Sequence, residues 1–239
     1  MSQIAPAELE WKGRTGPFTI SINPGVFAPT HTSRTIAEAL EIGPDDTVID
    51  VGCGSGVLSF VAARLGALKV IGCDISESAV AAARENAARL GLSDRTEFRA
   101  GSLLEPVRDL SADVLIGDVS GIPDEIAEVT GWFPDGHAGG PTGAELPVAM
   151  LESIGDTLAP GGRLYLPTGT IQDEKRIIDA ARRVFGENME PVVEREFPLP
   201  DIVGRSLAVA KMMKEGLLNL HRRGSRLLWR LQIWRCVRG

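Results

Sequence analysis

Apolar residues recur along most of the chain in two patterns, short β-branched runs and longer stretches with helical spacing. The runs that predict strands are residues 47–51, 69–74, 97–99, 113–117, 163–167, 195–197 and 227–237. The stretches that predict helices between them are residues 57–65, 76–90, 144–158 and 172–185. Strands that alternate with helices in this way are typical of a parallel sheet covered on both faces.

The last of these runs has the two-residue period of a strand. Its alternating positions are Trp229, Leu231 and Ile233 on one side and Arg230, Gln232 and Trp234 on the other. We expect Trp229 and Trp234 to be packing and edge residues rather than a platform on which bases stack.

The first 46 residues lie outside the alternation. Residues 18–22 predict a strand, residues 23–25 a turn and residues 35–40 part of a helix. No linker composition separates this part from the rest. We therefore predict one structural domain, in which residues 1–46 form an N-terminal cap and residues 47–239 the main body.

Composition excludes several classes of protein. Hydrophobic residues make up 44% and charged residues 24%, as in soluble globular proteins. No stretch approaches the ~20 apolar residues of a membrane span, and the N-terminus does not read as a signal peptide. The three cysteines, Cys53, Cys73 and Cys236, form no C-x-x-C pair, and the three histidines are far apart. We therefore expect a cytoplasmic protein without a disulfide scaffold, metal site or membrane partner.

Charge is distributed unevenly. Residues 211–239 carry eight basic side chains and one acidic one, a net charge of 8 − 1 = +7. Because the whole chain has a net charge of −7, residues 1–210 carry −7 − 7 = −14. An acidic body disfavours sequence-blind binding to phosphate backbones. The basic end is open to two interpretations: solvated arginines on an edge strand, or a contact surface for an anionic partner.

A glycine turn follows the first predicted strand of the main body. Gly52, Gly54 and Gly56 form G-x-G-x-G directly after Asp50 and Val51. Bare backbone lets a ligand approach closely. Dinucleotide sites instead use G-x-G-x-x-G, and an acid just before the turn would repel a diphosphate while attracting a cation.

A second acid, Asp74, closes the next strand, 18 residues after Gly56. A carboxylate at that point can accept hydrogen bonds from both hydroxyls of a ribose. An acid for a cationic group, a bare turn and an acid for a ribose together predict an adenosyl ligand without phosphates. S-adenosylmethionine is such a ligand.

Across about residues 25–200 the chain resembles the class I S-adenosylmethionine-dependent methyltransferases. The resemblance is carried by the glycine turn, Asp74, residues 85–92 and the Pro-Gly-Gly at 160–162. It implies a Rossmann-like α/β fold with a seven-stranded, mostly parallel sheet whose last strand is antiparallel, and it implies S-adenosylmethionine as cofactor. The cofactor-binding positions that it implies are Asp50, Gly52, Gly54, Gly56, Asp74, Ile75, Ser102 and Leu103.

Within that superfamily, the chain is most similar to enzymes that methylate glutamine in release factors or the adenine amino group in tRNA. Residues 26–33 resemble their cofactor-gating segment, which adds Thr30 and Ser33 to the implied cofactor site. Their Asn-Pro-Pro-Tyr motif, however, is replaced by Asp118-Val119-Ser120-Gly121. Because an ionised aspartate cannot donate a hydrogen bond and Gly121 supplies no ring, we do not expect methylation of glutamine or adenine.

Asp118 is the first candidate for catalysis. It could accept a proton from a hydroxyl or hold an amine whose lone pair attacks the methyl group. Alternatively it binds the sulfonium side of the cofactor or caps the next helix. His31 and His137 are further candidate proton acceptors. The candidate acceptor-binding residues are Ser120, Trp132 and Phe133, although the two aromatic residues could instead anchor their loop.

The sequence thus predicts methyl transfer from S-adenosylmethionine to an oxygen or nitrogen nucleophile of a small-molecule or amino-acid-like acceptor. Three alternatives stay open. The first is a protein or tRNA methyltransferase that docks its substrate through residues 211–239. The second is a binding protein that keeps the cofactor pocket without chemistry. An NAD-dependent oxidoreductase is the third, and the glycine spacing opposes it.

Overall fold

The computed structural model describes residues 6–131 and 138–239. Its strands are β1 (Ala7–Trp11), β2 (Phe18–Ile22), β3 (Thr47–Val51), β4 (Lys69–Asp74), β5 (Thr96–Ala100), β6 (Ala112–Gly117), β7 (Leu158–Gly169), β8 (Met189–Pro198), β9 (His221–Arg223) and β10 (Arg226–Val237). Its helices are α1 (His31–Ala39), α2 (Val57–Leu65), α3 (Glu77–Arg89), α4 (Asp124–Thr130), α5 (Glu145–Glu152), α6 (Glu174–Phe185), α7 (Asp201–Gly204) and α8 (Leu207–Lys214).

The main sheet has the strand order β5-β4-β3-β6-β7-β10-β8, and the short β9 pairs with β10. The five strands from β5 to β7 in this order are parallel, and β10 is antiparallel to both of its long neighbours. This arrangement confirms the predicted α/β architecture, a mostly parallel sheet with an antiparallel last strand. The chain runs outward from β3 to β5 and then returns to β6, so the order reverses between β3 and β6, where open α/β sheets bind ligands.

Two predictions about elements are wrong. The helix predicted over residues 144–158 ends at Glu152, because a single 3-10 turn with Gly155 at φ +44° follows it and β7 starts at Leu158. The last strand is not at an edge, because β10 lies between β7 and β8. The arginines of β10 therefore do not lie on an edge strand, whereas the exposed Arg222 and Arg223 lie on β9, which pairs only with β10 among the described strands.

Apolar layers cover both faces of the sheet. In β3, Val48 belongs to the layer under α2 and α3, and the adjacent Ile49 belongs to the opposite layer under α5 and α6. Burial on both faces explains why the central strands read as continuous apolar runs. None of the helices in the described part of the chain has both the length and the apolar character that crossing a bilayer requires.

A buried amide of the main body makes several hydrogen bonds that hold the N-terminal β1–β2 hairpin. The Asn86 side chain in α3 is fully buried; its Oδ1 accepts from the Ser21 backbone N–H at 2.7 Å. Its Nδ2 donates to the backbone carbonyls of Ser21 at 2.9 Å and Ser55 at 3.1 Å. The hairpin, α3 and the glycine turn are thereby joined at a single side chain.

Replacing this amide with an apolar side chain should loosen all three parts. Asn86→Leu leaves the partly buried backbone groups of Ser21 and the buried carbonyl of Ser55 unpaired, so we expect the free energy of unfolding in urea to fall by about 2–3 kcal/mol. The control is Arg89→Ala on the same helix, which removes half-exposed contacts with the Glu8 carboxylate and the Ser21 hydroxyl and should cost less than about 1 kcal/mol. Equal losses in the two variants would contradict the anchoring role of Asn86.

Candidate active site

One cavity of about 650 Å³ opens at the carboxyl ends of the parallel strands. It is walled by the turn after β3, the ends of β4 and β6, the segment after β7 and the N-terminal segment that leads into α1. The cavity brings together most of the site residues predicted from the sequence: Thr30, His31, Ser33, Asp50, Gly52, Gly54, Asp74, Ile75, Ser102, Leu103, Asp118 and Ser120. Gly56 does not line it; a Cβ atom there would lie 2.6 Å from the Phe60 ring, so this glycine serves packing. Trp132, Phe133 and His137 lie outside the described residues.

The glycine turn is held against two neighbouring segments. The backbone N–H groups of Gly52 and Cys53 donate to the Cys73 carbonyl at 2.8 and 3.0 Å, which ties the turn to the end of β4. Gly52 has φ +77°, and a Cβ atom on it would lie 2.8 Å from the Asp118 carbonyl oxygen. A side chain is therefore excluded both by conformation and by the contact of two backbones. The sequence predicted the bare turn but not this second reason for it.

Asp74 is fixed by the turn that it faces. Its Oδ2 accepts from the Gly54 N–H and its Oδ1 from the Ser76 N–H, both at 2.9 Å. Each carboxylate oxygen has a second lone pair, so both can still accept a hydrogen bond from a ligand. Leu103, which also lines the cavity, has φ +49°, a left-handed conformation that is strained for a leucine and is found preferentially at functional sites.

Asp118 joins the loop after β6 to the start of α1. The half-buried carboxylate accepts from Ser33 Oγ at 3.0 Å through Oδ2. Ser33 belongs to a capping box with Thr30, so the helix terminus fixes its position. Burial raises the pKa of Asp118 to about 6, against the opposing effect of the Ser33 hydrogen bond.

Asp50 lies fully buried behind the glycine turn. Its Oδ2 accepts from Ser59 Oγ at 2.6 Å, whereas its Oδ1 has no hydrogen-bond partner among the described residues. Burial raises the pKa of Asp50 to about 7; the Ser59 hydrogen bond opposes the shift, and the negative charges of Asp118 and Asp74 add to it. An unpaired carboxylate oxygen at this depth is suited to a positively charged ligand or a hydrogen-bond donor.

The cavity wall is acidic. Its described lining contains the three carboxylates Asp50, Asp74 and Asp118 but neither lysine nor arginine. His31 is exposed at the mouth and stacks on the Phe197 ring, with centroids 4.7 Å apart. Such a wall favours a cation and disfavours a diphosphate. Within residues 6–131 and 138–239, no group of three or more potential ligand side chains is placed to hold a metal ion.

The cavity lining also contains residues that the sequence analysis did not assign to the site. Phe197 and Trp229 pack with ring centroids 5.5 Å apart, and both line the cavity. Trp229 packs against the core as predicted and also lines the cavity, but it is not an edge residue because β10 lies inside the sheet. Trp234 donates to Thr168 Oγ1 and packs beside the core. Gln172 also lines the cavity, with its carboxamide against Gly121.

Comparison with known proteins shows similarity to methyltransferases. A family model described as a methyltransferase domain matches residues 42–213. The chain is 40% identical over 183 residues to the ribosomal protein L11 methyltransferase of Edwardsiella ictaluri (74% of this chain, 53% of that protein). It is 32% identical over 196 residues to the release factor glutamine methyltransferase of Moorella thermoacetica (77% of this chain, 66% of that protein). The chain spans about half the length of the curated relatives it matches.

Solved structures share the fold. TYW2 of P. horikoshii, in complex with MeSAdo, superposes with a TM-score of 0.58 over 98% of this chain and 72% of that one, at 13% identity. At this level of identity the likeness concerns the fold alone.

The buried carboxylates make the stability of the ligand-free protein depend on pH. Folding raises the pKa of Asp50 from 3.8 to about 7, so the folded state holds a proton that the unfolded state releases. The associated stability is complete below the lower value and is lost as the pH rises through the upper one. We therefore expect Asp50→Asn to be more stable than the wild type at about pH 8, by roughly 2–4 kcal/mol in urea denaturation.

The matched control is Asp94→Asn, at an exposed turn, which should keep the pH dependence of the wild type. A wild-type protein whose stability rises between about pH 4 and 7 would contradict the assignment.

Proposed function

We propose that this chain, which belongs to the class I S-adenosylmethionine-dependent methyltransferases, transfers the methyl group of S-adenosylmethionine to an amine nitrogen of a protein. The observation that carries the proposal is the acidic cavity wall: three carboxylates and, in the described lining, no basic side chain to balance them. The sulfonium cofactor and a protonated amine are both cations, and both suit such a wall.

The residues at the carboxyl ends of β3 and β4 have the hydrogen-bonding groups and the bare backbone that the cofactor requires. Both Asp74 oxygens keep acceptor capacity for the two ribose hydroxyls, and Gly52 and Gly54 leave the backbone bare beside them. The unpaired Oδ1 of Asp50 and the carboxylate of Asp118 suit its positive charges. When bound, S-adenosylmethionine supplies an electrophilic methyl group on a sulfonium sulfur.

Asp118 is the residue that suits the nucleophile. Its pKa of about 6 leaves it ionised at neutral pH, so it can accept a hydrogen bond or a proton from an ammonium group. Ser33 holds the carboxylate in place, which restricts the direction of the bound N–H. Positioning of this kind favours the reaction because the methyl group needs only an in-line lone pair.

A protein acceptor is supported by the names of the two relatives and by the basic C-terminal part. Four basic side chains there pair with acids of the fold: Lys211 with Glu125, Arg230 with Glu174, Arg235 with Glu41 and Glu190, and Arg238 with Asp156. Lys214 and the three residues Arg222, Arg223 and Arg226, which we call the arginine hairpin, are exposed, and no ion pair joins them to other described residues.

The arginine hairpin lies at the cavity edge of the sheet. It leads into β10, whose Leu231 lines the cavity and pairs with Gly169 at the carboxyl end of β7. Arg223 stands directly opposite Arg226 in the hairpin register. Like charges at opposite positions destabilise a strand pair, so this placement suits an anionic partner better than it suits the fold. We infer that it docks acidic side chains of the protein acceptor.

A small amine is the second candidate acceptor. The observation that favours it is the wall of Phe197, Leu199 and Trp229, whose largely apolar surface could enclose a small molecule. Such an acceptor would not need the arginine hairpin.

Methyl-group labelling distinguishes these candidates. S-adenosylmethionine with a labelled methyl group is supplied with purified ribosomal protein L11, a total protein extract, tRNA or propylamine. We expect label on an amine nitrogen of protein, located by mass spectrometry. Arg223→Ala/Arg226→Ala should raise the KM for protein about tenfold, more at low salt than at high salt, without reducing stability.

The control is Arg95→Ala/Arg108→Ala, which removes two exposed arginines near the amino ends of β5 and β6, at the opposite edge of the sheet. It should leave the KM unchanged. Label confined to tRNA, or transfer to propylamine with equal efficiency in both double variants and none to protein, would contradict the proposal.

A further inference from the structure

The Gln172 side chain is a polar group in the cavity wall that the function described so far does not use. It follows β7 directly, is only 7% exposed and lines the cavity. Its backbone N–H donates to the Gly169 carbonyl, which fixes the chain at this point. The carboxamide itself makes no hydrogen bond to any residue in the described part of the chain. Both its donor and its acceptor are therefore available to a ligand.

Gly121 determines where this carboxamide lies. A Cβ atom on Gly121 would fall 2.2 Å from Gln172 Oε1 and 3.1 Å from Cδ. The absence of a side chain at position 121 thus creates the space that the carboxamide fills. Gly121 lies three residues after Asp118 in the same loop, and both Asp118 and Gln172 line the cavity.

A third polar residue belongs to the same loop as Asp118 and Gly121. Ser120 lines the cavity, and its Oγ is buried and has no hydrogen-bond partner among the described residues. The side-chain acceptor oxygens that this loop and Gln172 offer to a ligand are therefore those of Asp118 and Gln172. An amine has N–H groups to satisfy such acceptors, and an amine whose hydrogens are replaced by methyl groups has none.

We propose that Gln172 is the specificity-determining residue of the acceptor site and selects amines that carry N–H groups. Its carboxamide oxygen accepts one N–H of the acceptor nitrogen while Asp118 accepts another. Two N–H groups held in this way direct the lone pair of a primary amine. The inference rests on the proposed amine acceptor and adds the residue that discriminates among amines.

Two ammonium ions test this discrimination without knowledge of the natural acceptor. The protein is loaded with S-adenosylhomocysteine and titrated with propylammonium or with trimethylpropylammonium, which lacks N–H groups, and each Kd is measured by NMR. We expect the wild type to bind propylammonium about tenfold more tightly. Gln172→Leu keeps the volume but removes the acceptor, so this preference should disappear.

Gly121→Ala provides an independent variant. The added Cβ would displace only the end of a flexible side chain, so the protein should fold normally while the carboxamide moves away. The preference should therefore disappear here too. The matched control is Gln232→Leu, since Gln232 hydrogen-bonds Glu194 and does not line the cavity. Because its acceptor site is unaltered, this variant should retain the preference of about tenfold for propylammonium.

The possible failures are distinguishable. If the loaded wild type binds propylammonium but Gln172→Leu keeps the full preference for it, the assignment of Gln172 is wrong and the amine acceptor stands. If the loaded wild type binds neither ion, the amine acceptor is wrong and the role of Gln172 fails with it.

Discussion

The structure depends on an electrostatic constraint, the placement of three carboxylates around one cavity whose described lining offers no basic side chain. Burial and mutual repulsion raise the pKa of Asp50 to about 7, and burial raises that of Asp118 to about 6, so both groups work against the folded state when they ionise. A fold tolerates such groups where their charge serves a ligand. The sulfonium cofactor of this family supplies the matching positive charge.

The surrounding structure holds these carboxylates in place from several directions. Gly52 brings the turn after β3 into backbone contact with the Asp118 loop, and Ser33 reaches the same aspartate from α1. Asn86 ties the turn to the N-terminal hairpin. Segments far apart in sequence therefore form one wall, and a disturbance in the N-terminal part is expected to affect the cavity.

The sequence predicted those features of the molecule that depend on residues close together along the chain, namely the central strands and the glycine turn. The parallel strands are buried on both faces, so their apolar runs were distinct, and the spacing of glycine and acid pointed to the ligand. The position of β10 inside the sheet and the cavity-facing ring of Trp229 depend on strand order, which alternation along one strand does not contain. Gln172 was missed because it stands at the start of a predicted helix, and only the structure places it against Gly121.

The most direct test of the electrostatic account is proton release on cofactor binding. Calorimetric titration at about pH 6.5, in two buffers of different ionisation enthalpy, gives the number of protons exchanged with S-adenosylmethionine and with S-adenosylhomocysteine, which lacks the sulfonium charge. A cation beside Asp50 and Asp118 lowers the pKa of both, so S-adenosylmethionine should release up to about one proton more. Equal proton exchange with the two ligands, or proton uptake with S-adenosylmethionine, would contradict the account.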